Sequence, residues 1–396
     1  MNAENFEKKH ERPGKHRKAG LAIPAVISFA ALLLNLAARF SRDFSDRYTE
    51  RIFPLWEESY GRLTGSVPFS VGELLLVVGV IWIAAAAAIL VTDAVFCLRR
   101  KHPPCVSFLK ATVWMLSIVL MVMTLNCYIP WQAEGLSYGA AEDTESATAR
   151  YSQKQLTSLR DYIVRQADSY AAAVKRDGDG NAVFSADRKQ EAVACMKKLS
   201  EQFPRLSGYY PEPKGLFFSG LMSQMHMQGY YFPFSMEANY NTKMCEMNMP
   251  FTFCHELSHL KGYMKEDDCN MLAFLACMGS DDPAFVYSGY LGVLNYVDND
   301  FYTSIGKDKA VYRSHVLISD QVISDNRFLS DEAWKEVEKN SVIDTETATR
   351  TTKNFTDAQI RANGISEGWN SYDLVVRQLL DWYYDRESRE GVQARN

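Results

Sequence analysis

The sequence predicts a multi-pass α-helical membrane region followed by a mainly α (α+β) domain. Two observations predict this fold class. Three long and nearly uncharged apolar runs lie within the first 131 residues, and the rest of the 396-residue chain has no run of comparable length. The second half instead shows apolar residues at helical spacing and one aromatic-rich extended segment. We therefore divide the chain into residues 1–20, a cytoplasmic tail, 21–131, the membrane region, and 132–396, one domain.

The membrane region is predicted to contain three transmembrane helices in contact with a lipid bilayer. The apolar runs cover about residues 21–38, 74–98 and 111–131. An apolar helix needs about 18 residues or more to cross the hydrocarbon core. Tyr128 and Trp131 end the third run, and aromatic residues of this kind favour the membrane interface.

The positive charges of short loops orient the predicted spans, because such loops stay in the cytoplasm. Residues 1–20 are basic, and the loop after the second run contains Arg99, Arg100 and Lys101. Residues 39–73, a loop of mixed charge, and residues 132–396 are then extracytoplasmic. An alternative is that the first run is a signal peptide cleaved near residues 36–38, which leaves two spans and the same orientation.

The elements of the second half follow from periodicity and turn residues. Helices are predicted over about residues 151–176, 185–203, 284–295, 307–324 and 372–386. Residues 229–241 are rich in aromatic side chains, and Pro233 restricts them to an edge strand or an extended segment. Tyr231, Phe232 and Phe234 are candidates for a strand that pairs with an extended peptide substrate. An ordinary edge strand is the alternative.

One segment has the pattern HExxH, formed by His255, Glu256 and His259. In a helix the two histidines lie one turn apart on the same face, so both imidazoles can bind one metal ion. Gly262 follows, and glycine can take the positive φ that ends a helix. These spacings predict one Zn²⁺ per chain, with the carboxylate of Glu256 as the catalytic base.

The other site residues are predicted from what a catalytic zinc requires. It has three protein ligands and one open position, and Glu266 offers a carboxylate soon after the turn at Gly262. Asn270 lies one helical turn further on, where its amide can hydrogen-bond a metal ligand. The main candidates for stabilising the oxyanion of the reaction are Tyr287, Tyr290 and His315, and Tyr296 and Arg313 are further candidates of the same kind.

These residues resemble the motifs of a bacterial membrane family of unknown function. That family has three N-terminal spans, a PF-x-x-EAN segment, and PFT-x-CHE-x-x-H-x-x-G followed by E-D-x-x-N. Here the motifs are residues 233–239, 250–262 and 266–270, with a closing element at 362–364 and 371–372. The pair Glu266 and Asn270 is also similar to the glutamate helix of gluzincin metallopeptidases. This resemblance implies a zincin-like domain with Glu266 as the third ligand.

We therefore expect a membrane-anchored zinc metallopeptidase that cleaves peptide or protein substrates outside the cytoplasmic membrane. Two other functions stay open: a cell-wall amide hydrolase with the same metal centre, and a non-catalytic zinc-stabilised sensor or scaffold. An intramembrane protease is disfavoured, because charged residues such as Lys261, Lys265 and Asp267 surround the motif. The net charge of −5 gives no reason to expect nucleic acid as a partner.

Overall fold

A computed structural model describes residues 15–96, 104–136, 151–341, 343–351, 353 and 373–393, and most of these residues are helical. The first half contains α1 (Lys15–Phe40), α2 (Arg42–Arg51), α3 (Phe53–Trp56), α4 (Arg62–Gly65), α5 (Val71–Phe96), α6 (Pro104–Met123) and α7 (Ile129–Trp131), with π-helical turns at Glu57–Gly61 and Thr124–Tyr128. The second half contains α8 (Gln153–Ala173), α9 (Arg188–Leu199), β1 (Lys214–Gly215), α10 (Ser219–Gln224), β2 (Gly229–Phe232), β3 (Glu237–Tyr240), α11 (Met249–His259), α12 (Glu266–Met278), α13 (Pro283–Ser304), α14 (Lys309–Arg313), α15 (Asp320–Asp325), α16 (Asp331–Lys339) and α17 (Asp373–Gln393). The tail before residue 15, the basic loop at 99–101 and the closing element at 362–364 and 371–372 lie outside the described residues.

Three of these helices are long and apolar enough to cross a membrane. The candidate spans are Leu21–Phe40, Val71–Thr92 and Ser107–Trp131, so the three predicted apolar runs are confirmed with ends shifted by a few residues. The first and third spans are joined by a hydrogen bond of 2.9 Å between the hydroxyls of Ser28 and Ser117. Polar side chains stabilise such helix pairs because lipid offers them no hydrogen-bond partner.

The segment between the first two spans is helical, whereas the sequence suggested a loop of mixed charge. We call residues 42–65 the interspan cap. Its Glu57 accepts a hydrogen bond of 2.8 Å from Lys261, and both side chains are 2% exposed. A Cβ atom on Gly262, where φ is +81°, would lie 2.6 Å from Thr49 of the cap. The cap is therefore packed directly against the chain that follows the HExxH segment.

A small sheet has the strand order β1-β3-β2. Strand β1 is parallel to β3, and β2 is antiparallel to β3 with Gly229 opposite Tyr240 and Phe232 opposite Glu237. The predicted extended segment at 229–241 is thus a hairpin, and the chain turns at Pro233, which has no N–H to donate to a strand ladder. Among the described residues, β2 pairs on one side only and forms an edge.

The hairpin is attached to the start of the second span by Glu237. Its carboxylate accepts hydrogen bonds from the backbone N–H groups of Val71 at 3.1 Å and Gly72 at 2.7 Å, and from the ammonium group of Lys214 at 2.6 Å. A carboxylate at a helix N-terminus satisfies unpaired N–H groups and complements the helix dipole. This buried contact fixes the sheet relative to α5.

The core of the second half surrounds α11. Every residue of α11 except His255 is buried, and α11 packs against α9, α12, α13 and the hairpin. The predicted helix at 307–324 is two short helices, because Asp308 and Ser319 each cap a separate helix. Helix α9 begins after Asp187 rather than Ser185, since Ser185 hydrogen-bonds Asp282 instead.

Candidate metal centre

The two histidines of the HExxH segment lie on the last turn and a half of α11. Their ring centroids are 5.0 Å apart with an interplanar angle of 83°. The helix ends at His259, and Gly262 turns the chain toward α12, whose first residue is Glu266. The turn therefore places the start of α12 opposite the face of α11 that presents both imidazoles.

Glu266 lies against both rings. Its Oε2 atom is 3.1 Å from Nε2 of His255, and its Oε1 atom is 3.7 Å from Nε2 of His259. The three residues offer ligand atoms that all lie within 4.8 Å of one another, which is close enough to bind one metal ion. The structure thus brings together the three side chains that the sequence suggested as ligands.

The other ring nitrogens are occupied by hydrogen bonds that orient the imidazoles. Nδ1 of His259 lies 2.8 Å from the carbonyl of Tyr263, and Nδ1 of His255 lies 2.9 Å from the side-chain oxygen of Asn270. Because both partner oxygens accept, each Nδ1 donates a proton. Nε2 is then the nitrogen left to bind a metal, and it is the nitrogen that faces Glu266 in both rings. Asn270 lies where the sequence suggested.

The protonation of the two histidines differs. Burial works against a charge on His255, but the hydrogen bond and charge of Glu266 outweigh it and raise the pKa of His255 to about 9. Burial lowers the pKa of His259 to about 4, with Glu266 opposing that change. At neutral pH the metal-free cluster therefore has one positively charged imidazole, that of His255, which hydrogen-bonds Glu266, while the imidazole of His259 is neutral and keeps only its Nδ1 proton.

Glu256 is 5% exposed and lies beside the edge strand. The backbone N–H of Tyr231 hydrogen-bonds its carboxylate, whereas its Oε2 atom has no partner among the described residues. Burial raises the pKa of Glu256 to about 8. A Cβ atom on Gly229 would lie 2.4 Å from Oε1 of Glu256, so only glycine leaves room for the carboxylate in this position. An unpartnered buried oxygen indicates that something outside the chain completes its hydrogen bonding.

The three residues suggested as oxyanion donors have partners away from the cluster. The hydroxyl of Tyr287 donates to Asp325 at 2.9 Å, that of Tyr290 lies 3.2 Å from the hydroxyl of Tyr162, and Nδ1 of His315 lies 3.3 Å from Asp161. These contacts join α13 to α15, α13 to α8, and the segment after α14 to α8, respectively. The structure does not bring these three residues to the histidines.

Tyr296, a further phenol of the same helix, lies beside the cluster. The hydroxyl of Tyr296 is 3.5 Å from Nδ2 of Asn270. Burial and the charge of Glu266 raise the pKa of Tyr296 to about 12, so the phenol stays protonated at neutral pH and is able to donate. Nothing in the sequence of α13 separates Tyr296 from its other tyrosines, because the distinction depends on how α13 packs against α12.

Two of the three aromatic residues suggested for a substrate strand, Tyr231 and Phe232, contact the candidate spans. Tyr231 is 8% exposed and its hydroxyl donates to the carbonyl of Asn126 at 3.1 Å. Phe232 is 4% exposed, and its ring packs against Gly72, where an added Cβ atom would lie 2.6 Å from the ring. Phe234 is half-buried against Phe232. The backbone of β2, rather than these side chains, faces Glu256.

These features define a mostly helical protein that has three helices able to span a membrane by length and composition, and a His-His-Glu cluster in its second half. The chain belongs to DUF3810, a family of proteins of unknown function, whose family model matches residues 48–380. No curated protein and no solved structure matches the chain.

Proposed function

We propose that this protein is a membrane-anchored zinc metallopeptidase with a zincin-like domain that hydrolyses peptide bonds outside the cytoplasmic membrane. One observation supports it above the others. The Nε2 atoms of His255 and His259 and the carboxylate of Glu266 converge, and the buried Glu256 beside them has an oxygen without a partner.

The residues fit zinc better than a harder cation. Two imidazole nitrogens and one carboxylate form the ligand set of several catalytic zinc sites, and they leave one position open. Asn270 and the carbonyl of Tyr263 hold the two rings in the tautomer that such a site needs. A zinc ion bound there would act as a Lewis acid on the scissile carbonyl and make a water molecule more acidic.

The chain's own residues would perform the proton transfers. Glu256 would accept a proton from the attacking water and then donate it to the leaving amine. Its burial beside Gly229, which raises its pKa to about 8, suits a group that exchanges protons near neutral pH. The hydroxyl of Tyr296 would donate to the oxygen that becomes negative. The edge of β2 would hold an extended peptide beside Glu256 by backbone hydrogen bonds.

The location outside the membrane rests on the loop charges of the sequence. The domain-side ends of the three candidate spans are Phe40, Val71 and Trp131, so the interspan cap and the second half lie on one side. The positive charges at residues 8–18 and 99–101 favour the opposite side for the cytoplasm.

The test uses the full chain reconstituted in liposomes, with zinc content measured by mass spectrometry and cleavage of a mixed peptide library followed in parallel. We expect about one zinc per chain and hydrolysis that a chelator removes and zinc restores. Glu256→Gln should keep the zinc and lose hydrolysis, whereas His259→Ala should lose both. Glu338→Gln, an exposed change in α16, is the matched control and should keep both.

Each outcome separates the proposal from its alternatives. Zinc binding without hydrolysis of peptides or of cell-wall fragments, in wild type and Glu256→Gln alike, identifies a sensor or scaffold. Hydrolysis of cell-wall fragments alone identifies an amide hydrolase. A chain that binds no zinc refutes all three.

A further inference from the structure

A group of exposed apolar side chains surrounds the start of the second candidate span. Phe217 is 85% exposed, Phe218 50%, Leu221 46% and Phe69 56%. We call these four residues the interfacial patch. Among the described residues after Trp131, Phe217 and Phe218 are the phenylalanines with exposed side chains, and their rings contact each other edge to face at 5.2 Å.

The patch is attached to the first turn of α5. The carboxylate of Glu73 accepts hydrogen bonds from the backbone N–H of Phe217 at 2.9 Å and of Phe218 at 2.6 Å. The ammonium group of Lys214 donates to the carbonyl of Phe69 at 3.1 Å. The two phenylalanines from the second half therefore lie at the same height as the first residues of the span.

The surroundings of that span indicate what covers the patch. No residue in the most apolar window of Val71–Thr92 is buried within the protein, so its side chains face the lipid that such a helix requires. Phe217 and Phe218 continue this lipid-facing surface at its end. Two adjacent, solvent-exposed phenyl rings in water are unfavourable, while aromatic rings are stabilised at the boundary between headgroups and acyl chains.

We infer that the interfacial patch inserts into the headgroup and acyl-chain boundary of the bilayer beside the second span. The protein then contacts the membrane in two ways, through the spans and through a loop that lies more than 80 residues after the third span. The lipid bilayer is the partner of this surface. The inference does not depend on zinc or on hydrolysis.

The test places a tryptophan in the patch of the full chain. Phe217→Trp is reconstituted in phosphatidylcholine and phosphatidylglycerol liposomes, with and without lipids brominated near the headgroup end of the acyl chains. Bromine quenches tryptophan on contact, and the emission of the parent chain, which has 7 tryptophans, is subtracted. Val183→Trp is the matched control, because Val183 is 48% exposed on the loop that follows α8 and is closed by the Arg176–Ala182 bridge.

We expect shallow brominated lipid to reduce the added emission of Phe217→Trp at least about twofold and to leave that of Val183→Trp unchanged. Lipid brominated near the terminal methyl should quench less, which places the ring at the boundary. Equal emission with and without bromine would overturn the inference. A second contradicting result would be that bromine stops quenching the tryptophan only when many protein molecules are present per liposome. That result assigns the patch to a second copy of the chain.

Discussion

Helices α5 and α11 are both rich in apolar residues, yet they have opposite surroundings. The most apolar window of α5 has no buried residue, whereas every residue of α11 except His255 is buried. Helix α11 also buries Thr252, Glu256 and Ser258, which lie among protein atoms rather than lipid. Changes around α11 therefore disturb close polar contacts, while a change such as Gly79→Ala in that window of α5 meets no atom of the described residues within 4 Å.

We expect the greatest loss of stability from a substitution that breaks the contact between the interspan cap and the chain that follows α11. Lys261 is 3% exposed, donates to Glu57 and to the carbonyl of Tyr209 at 2.5 Å, and lies 3.9 Å from the ring centre of Tyr210. Lys261→Met leaves the carboxylate of Glu57 buried without its cation, so we expect a loss of about 3 kcal/mol of unfolding free energy. Lys335→Met, an exposed change in α16, should cost less than about 0.5 kcal/mol. Unfolding in detergent followed by circular dichroism measures both.

The pH dependence of that variant has a defined sign. Burial raises the pKa of Glu57 to about 7 even with Lys261 opposing it, and the pKa rises further without the lysine. A carboxyl whose pKa is higher in the folded than in the unfolded state lowers the unfolding free energy as the pH rises from the unfolded-state pKa to the folded-state pKa. The loss of unfolding free energy in Lys261→Met, relative to the parent chain, should therefore shrink near pH 5 (about two units below the pKa of Glu57) and be greatest above pH 7. A deficit that is independent of pH would show that lost packing, not the buried charge, is responsible.

The second comparison is between a glycine that lies beside α11 and a glycine within α5. Gly229→Ala adds a Cβ atom 2.4 Å from Glu256, whereas a Cβ on Gly79 of α5 has no atom of the described residues within 4 Å. We expect Gly229→Ala to reduce peptide hydrolysis about a hundredfold by displacing the carboxylate, with zinc content unchanged. Gly79→Ala should leave both unchanged. If the two variants behave alike, the position of Glu256 does not depend on its contact with Gly229.

A smaller effect is expected from the hydrogen bond that orients His255. Asn270→Ala removes the oxygen that lies 2.9 Å from Nδ1 of His255, so zinc affinity should fall about thirtyfold while the fold is retained. Asn299→Ala, an exposed asparagine of α13, is the control. Competition with a fluorescent chelator measures both affinities. Unchanged affinity in Asn270→Ala would exclude Asn270 as a positioning residue.

The smallest effect concerns the proton on His255. Its pKa of about 9 in the metal-free chain means that the proton must leave before Nε2 can bind zinc. Zinc affinity should therefore rise about tenfold per pH unit between pH 7 and 8 and level off above about pH 9, with about one proton released per zinc. Calorimetry in buffers of different ionisation enthalpy counts the protons. No dependence on the buffer would show that His255 is already neutral or is not a ligand.

Local signals predicted much of this molecule, and long-range contacts supplied the rest. The spans are recognisable because apolar length is a property of one segment, and the meeting of His255, His259 and Glu266 follows from one helical turn and one glycine turn. The pairing of Lys261 with Glu57 joins residues 204 positions apart, and no pattern in either segment predicts it. Tyr296 is distinguished from Tyr287 only by the packing of α13 on α12.

The edge strand β2 extends from Gly229, against Glu256, to Phe232, against Gly72 of the second span. Three residue steps of a strand measure about 10 Å. The hairpin thus fixes the distance between the candidate centre and the start of the second candidate span. A peptide bound along β2 would lie within one strand length of that span, and this distance is set by four residues and not by a flexible tether.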